Sequence, residues 1–222
     1  MQVSPDRAPI LVTVETVDVK AFASAVEWPG WSRGGKTEAL ALESLVARAG
    51  RYAPVARRAG LSIPDSLTLG DVDVIERVIG DASTSFGVPG RVTELDLRPA
   101  TSAQANRLAD LVQAAWDTLA AVVAAAPAEL RKGPRGGGRD RDRMVAHIVD
   151  AERAYVRKIG LRPAAAAPIE EVRAEVIETF RLGTDGSPLP GGTWPLRYAA
   201  RRFAWHVLDH AWEIEDRSGP DD

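Results

Sequence analysis

Residues 201–213 read Arg201-Arg202-Phe203-Ala204-Trp205-His206-Val207-Leu208-Asp209-His210-Ala211-Trp212-Glu213. His206 and His210 stand at i and i+4, so on an α-helix their rings stack on one face about 5–6 Å apart and both can reach a single ion. With Phe203 at zero on a helical wheel, Leu196, Ala199, Ala200, His206, Val207, His210 and Ile214 fall within about 60° of it, so both histidines lie inside an apolar stripe. Tyr198, Trp205, Leu208 and Trp212 cluster on the opposite side, within about 40° of one direction. A helix that is apolar on two sides is buried on two sides. Left in water, that second face would be a sizeable exposed patch. Either the N-terminal part of the chain or a second copy of it is expected to cover the face. The N-terminal part is the better candidate, because its sheet needs a surface to close against.

The third histidine of the chain is His147, and no others occur. It falls in a helix expected over about 140–160, in the stripe Met144, His147, Ile148, Ala151, Ala154, Tyr155 and Ile159. Three interior-facing histidines on two helices allow a three-nitrogen facial site. Such a site leaves coordination positions open for water or substrate, as a catalytic metal needs. Ordinary buried histidines would each need their own hydrogen-bond partners, whereas one ion satisfies three ring nitrogens together. Glu213, at i+3 from His210, is a candidate to fix an imidazole tautomer, or else a helix-end residue paired with Arg217. Asp150, at i+3 from His147, is a second candidate, with a surface role as its alternative. Asp209 is expected to be exposed or paired with Arg202. Arg201 and Arg202 read as a solvated face, with substrate binding as the lesser alternative.

Outward from these two segments the period stays helical back to Thr101. Helices are expected over about 102–126, 140–160, 168–182 and 194–217, with Asp140 as a plausible N-cap and Gly/Pro-rich loops such as Lys132–Gly138 between them. Four such helices describe an antiparallel four-helix bundle. Before residue 98 the pattern has period two. Ile10–Val17 is rich in β-branched residues, and Phe22, Ser24, Val26 and Trp28 alternate with alanines. Asp71–Ile79 reads as a third strand and Val92–Leu97 as a possible fourth. Pro29-Gly30 and Gly34-Gly35 read as breaks, and Thr37 opens a helix expected to run to about Arg58. The fold class is therefore α+β, with a small N-terminal α+β module over 1–98 and the bundle over 99–222.

Composition narrows the classes. At 222 residues, 45% hydrophobic and 27% charged, the chain is ordinary for a globular protein. Its net charge of −3 offers no footprint for nucleic acid or an anionic membrane. With no cysteine there is neither disulfide nor thiolate ligand. No apolar run reads as approaching membrane-spanning length and no leader pattern stands at the N-terminus, so a cytosolic location is expected.

The helix Met144-Val145-Ala146-His147-Ile148-Val149-Asp150-Ala151-Glu152-Arg153, followed by Trp194 and the stretch 201–213, resembles the second and fourth helices of the DinB/YfiT-like metal-binding bundles. The likeness covers residues 100–218. It implies that His147, His206 and His210 hold a divalent ion, zinc or nickel being the leading expectation. It also implies a family that includes transferases and isomerases dependent on low-molecular-weight thiols. Three imidazoles also suit iron, cobalt and copper. Trp28-Pro29-Gly30-Trp31, the Gly-Gly turn and Thr37-Glu38-Ala39-Leu40 resemble a HicB-like antitoxin fold over residues 10–60, which implies a fold and no activity. The leading expectation is a metal-dependent enzyme acting on a small electrophile, with any thiolate supplied by a cosubstrate because the chain has none. The alternative is a metal-stabilised binding or regulatory protein whose N-terminal module engages a partner. A metal-free structural bundle is a third reading, and a homodimer stays open.

Overall fold

The computed structural model describes residues 8–132 and 137–219. The fold is mixed α+β: a four-stranded sheet in the first half, then helices. Strands β1 (Ile10–Val17), β2 (Lys20–Ala25), β3 (Ser32–Gly35) and β4 (Val72–Ile79) lie in the order β3-β2-β1-β4. β1 pairs antiparallel with β2 and parallel with β4, and β2 pairs antiparallel with β3. β1 is the inner strand, with Val12 and Val14 fully buried. The edge strand β4 alternates half-buried and exposed residues, as a one-sided strand should.

Two expectations for this half are corrected. Val92–Leu97 is not a strand. Asp96 accepts the Thr93 N–H at 2.9 Å and so caps a 3-10 turn over Glu94–Leu97. The fourth strand is instead β3, where glycines were read as a break. A Cβ on Gly35 would stand 2.5 Å from the Ala41 backbone nitrogen, so the missing side chain lets this strand run directly beneath a helix. The expected single helix from Thr37 is two, α1 (Glu38–Ala47) and α2 (Ala49–Arg58). Thr37 does cap the first, accepting from the Leu40 N–H at 3.2 Å. The break comes at Arg48, whose N–H bonds Leu45 O at 3.1 Å in a tight turn. The redirected α2 brings Tyr52 flat against Trp31, with ring centroids 5.1 Å apart.

After the one-turn helix α3 (Ala82–Phe86) come α4 (Ser102–Ala125), α5 (Arg141–Lys158), α6 (Ile169–Arg181) and α7 (Leu196–Ser218), each within a few residues of its expected bounds. Asp140 does precede α5, but its carboxylate serves the Leu130 N–H and Lys132 rather than the helix. The Lys132–Gly138 loop lies partly outside the described residues. α4 packs on α6 and α7, and α5 packs on α7. By length and composition α4 is apolar enough to cross a membrane, contrary to the reading of the sequence. Its face bearing Leu108, Leu111, Val112, Ala115 and Leu119 is buried within the protein.

One continuous cluster of buried side chains runs from the sheet through the four long helices. α7 is its centre, and the N-terminal half covers the outer face of that helix. Tyr198, Trp205, Leu208 and Trp212 are 4%, 7%, 0% and 4% exposed, so the expected burial is met within the chain. The segment Trp28–Trp31 forms much of the seam. Gly30 takes a positive φ of 91°, and a Cβ there would lie 2.5 Å from Leu208 Cδ1. Only glycine suits both the backbone conformation and the close approach. Arg33 and Arg51 flank the Trp212 ring at 5.7 and 5.5 Å. The Tyr198 hydroxyl donates to Gly90 O at 2.8 Å. Gly90 is held in turn by the buried Glu15 carboxylate, which also accepts from Thr84 and the Arg91 N–H.

Candidate metal centre

His147 projects from α5 and His206 and His210 from α7, and one ligand nitrogen from each lies within 4.8 Å of the others. The Nε2 atoms of His206 and His147 are 3.3 Å apart. Two nitrogens bound to one tetrahedral zinc at about 2.0–2.1 Å would be separated by about 3.3–3.4 Å. The rings meet edge-on, with centroids 5.1, 5.0 and 4.7 Å apart. His206 is buried and His147 and His210 half-buried, so the cluster lies between α5 and α7 with two of its rings partly exposed.

Electrostatics favour the uncharged form of His206 and His147. Burial, then the neighbouring His210 and His147, push His206 down to about 3. Burial also lowers His147, followed by Arg139 and His210. Neutral imidazoles present the lone pairs a metal requires. His210 faces Glu213 through Nδ1 at 3.2 Å. The carboxylate can only accept, so Nδ1 carries the proton, and in the neutral ring the lone pair then lies on Nε2. That is the carboxylate–histidine pairing which orients metal ligands. The hydrogen bond to His210 holds the Glu213 carboxyl below its ordinary range, despite partial burial. Its other oxygen accepts from Arg217 at 2.9 Å. Glu213 therefore contacts both His210 and Arg217. Buried Arg217 also donates to the carbonyls of Arg131 and Arg139, tying the loop before α5 to the end of α7.

His206 Nδ1 is buried and without a hydrogen-bond partner among the described residues. In metal-free form this ring carries an unsatisfied polar atom on one side and a facing nitrogen on the other, a costly arrangement for a merely structural histidine. The donor set and spacing fit a divalent ion.

Not every expected site residue joins the centre. Asp150 is exposed, and no hydrogen bond links it to His147 among the described residues. Asp209 pairs with Arg33 at 3.4 Å rather than with Arg202. Arg201 and Arg202 are 7% and 6% exposed, not a solvated face. Arg201 forms a buried ion pair with Asp96, Nε to Oδ1 at 3.0 Å. Arg202 donates to the Tyr155 hydroxyl at 3.1 Å, and its guanidinium lies over the Trp205 ring at 4.9 Å. The wheel alone gives no reason for either arginine to be buried, because their partners lie on segments 89–96 and on α5. Glu152 is also buried, in the core among α4, α5 and α6. It accepts from Trp116 Nε1 at 2.6 Å and from Arg173 at 3.0 Å.

No family model matches the chain, and no curated protein or solved structure does.

Proposed function

We propose that residues 99–222 form an antiparallel four-helix bundle of the DinB/YfiT-like type, holding a divalent ion, zinc or nickel, on His147, His206 and His210. On this reading the protein is a metal-dependent enzyme that uses a low-molecular-weight thiol to transfer to, or isomerise, a small electrophile. The carrying observation is the convergence of three imidazole nitrogens within 4.8 Å on two helices. The Glu213 bond that leaves the far nitrogen of His210 available supports it. When bound, the ion would supply Lewis acidity toward a thiol or a water. The protein's own part is to keep His147 and His206 neutral by burial, to orient His210 through Glu213, and to leave one side of the cluster open. Lacking cysteine, the chain must take any thiolate from a cosubstrate.

The test is elemental analysis of protein purified without added metal, followed by turnover assays with thiols and electrophiles. About one ion per chain, abolished in His206→Ala, is the expected result; a metal-free protein that takes up none on addition refutes the centre.

A second reading, a metal-stabilised protein that binds a partner without catalysis, is favoured by one observation. Val19, Ile79 and Phe86 of the N-terminal half are 74%, 82% and 91% exposed. Stoichiometric metal with no thiol-dependent turnover would select it.

A further inference from the structure

Along the α5–α7 groove, the next residues beyond the histidines are Tyr155 and Arg202. Tyr155 stands two turns from His147 on the same face of α5, and Arg202 one turn before His206 on α7. The Tyr155 ring is edge-on to His206, with centroids 5.8 Å apart, and is wedged by Trp194 at 5.0 Å and Phe203 at 5.5 Å. It is half-buried, so part of the side chain reaches solvent.

The direction of its hydrogen bond is forced. A guanidinium has donors only, so Arg202 Nη2 donates and the Tyr155 oxygen accepts, at 3.1 Å. The phenolic proton is thereby left for another acceptor, and none is present among the described residues. Arg202 is itself anomalous. It is 6% exposed, yet no carboxylate among the described residues pairs with it, whereas its neighbour Arg201 is neutralised by Asp96. Its Nη1 reaches only Pro89 O at 3.5 Å, and its buried Nε has no partner. A buried cation without a counter-charge is expensive and makes its surroundings favourable for an anion.

We propose that the Tyr155 hydroxyl is a ligand-binding donor of the three-histidine centre, aimed by Arg202 from the buried side, and that the ligand it grips carries a carboxylate. Arg202 is a positioning residue: it holds the phenol oxygen and supplies the positive potential, while Tyr155 makes the contact. This rests on the metal-centre reading above and adds the substrate class to it.

The test uses full-length protein loaded with cobalt(II) and titrated with acetate, read from the visible absorption of the metal. Saturable acetate binding is expected in the wild type. Loss of a hydrogen bond to a charged group should weaken it roughly 10-fold in Tyr155→Phe, with cobalt affinity unchanged. Arg202→Met should weaken acetate similarly, and Arg202→Lys should recover part of the loss, which a merely structural arginine would not. Wild-type acetate affinity in cobalt-loaded Tyr155→Phe overturns the proposal, as does a cobalt-loaded wild type that ignores acetate. If Arg202→Met does not fold, Tyr155→Phe, which removes a single oxygen, decides the matter. Failure of the wild type to bind cobalt overturns the metal centre and this proposal with it, and is visible before any variant is made.

Discussion

The two faces of α7 use similar residues in opposite ways. On the outer face, Tyr198, Trp205, Leu208 and Trp212 are sealed by the N-terminal sheet and its loops, and the polar groups of Tyr198, Arg201 and Arg51 each have a partner close by. Tyr198 has Gly90 O, Arg201 has Asp96, and Arg51 has Glu215, Asp216 and the Trp212 carbonyl. One turn away on the groove side, His206 Nδ1 and Arg202 Nε are buried with nothing to bond, and two histidine nitrogens face each other at 3.3 Å. The first arrangement is what stability alone produces. The second has local cost without a local return, which folded proteins tolerate where function demands it. Among the described residues, the unsatisfied buried atoms of α7 itself belong to Arg202, His206 and Arg217, while on the sealed side Arg33 Nε is an exception.

The sharpest way to break the comparison is Trp212→Ala on the sealed face. Emptying that seam should cost about 3–5 kcal/mol, and chemical denaturation should show sheet and helices unfolding in one transition. A stability change under 1 kcal/mol would mean the seam is loosely packed. Asp96→Ala comes next: it strands buried Arg201 and should cost about 3 kcal/mol or more, again read by denaturation. On the groove side the ordering should invert. His206→Ala removes an unsatisfied buried atom, so metal-free stability should change little while metal retention is lost. Glu213→Gln should lower metal affinity by about 10–100-fold, the range for carboxylates that orient ligating histidines, measured by competition with a chelator. Asp150→Asn, at an exposed position without contact to His147, should change neither quantity, with stability within about 0.5 kcal/mol. A large loss of metal in Asp150→Asn would move the ligand set and refute the assignment of Glu213.

How far the chain could be read without coordinates follows the range of the interactions involved. Helix faces depend on neighbours three and four residues away. The stripe containing His147 and that containing His206 and His210 were accordingly legible, as was the second apolar face of α7. Strand identity was less so. Val92–Leu97 looked like a strand by composition, yet the Thr93–Asp96 bond coils it and Arg201 fastens it. Gly34 and Gly35 read as a turn, yet they form strand β3, where Gly35 runs directly beneath α1 and Gly34 lies against the Phe22 ring. Arg202 looked solvated because polarity on a wheel says nothing about a loop that folds over it.

By itself, then, the sequence determined the order of an α+β half and a helical half, the bounds of the four long helices and the convergence of three histidines toward one groove. These properties are periodic and local, and periodicity survives in one dimension. Only the tertiary structure decided the parallel pairing of β4 with β1, the break at Arg48, the covering of α7 by the chain's own N-terminal half and the burial of Arg201 and Arg202. Each of these depends on which distant backbone or side chain arrives as a partner. Burial and hydrogen-bond satisfaction belong to that pairing, and no single segment carries them.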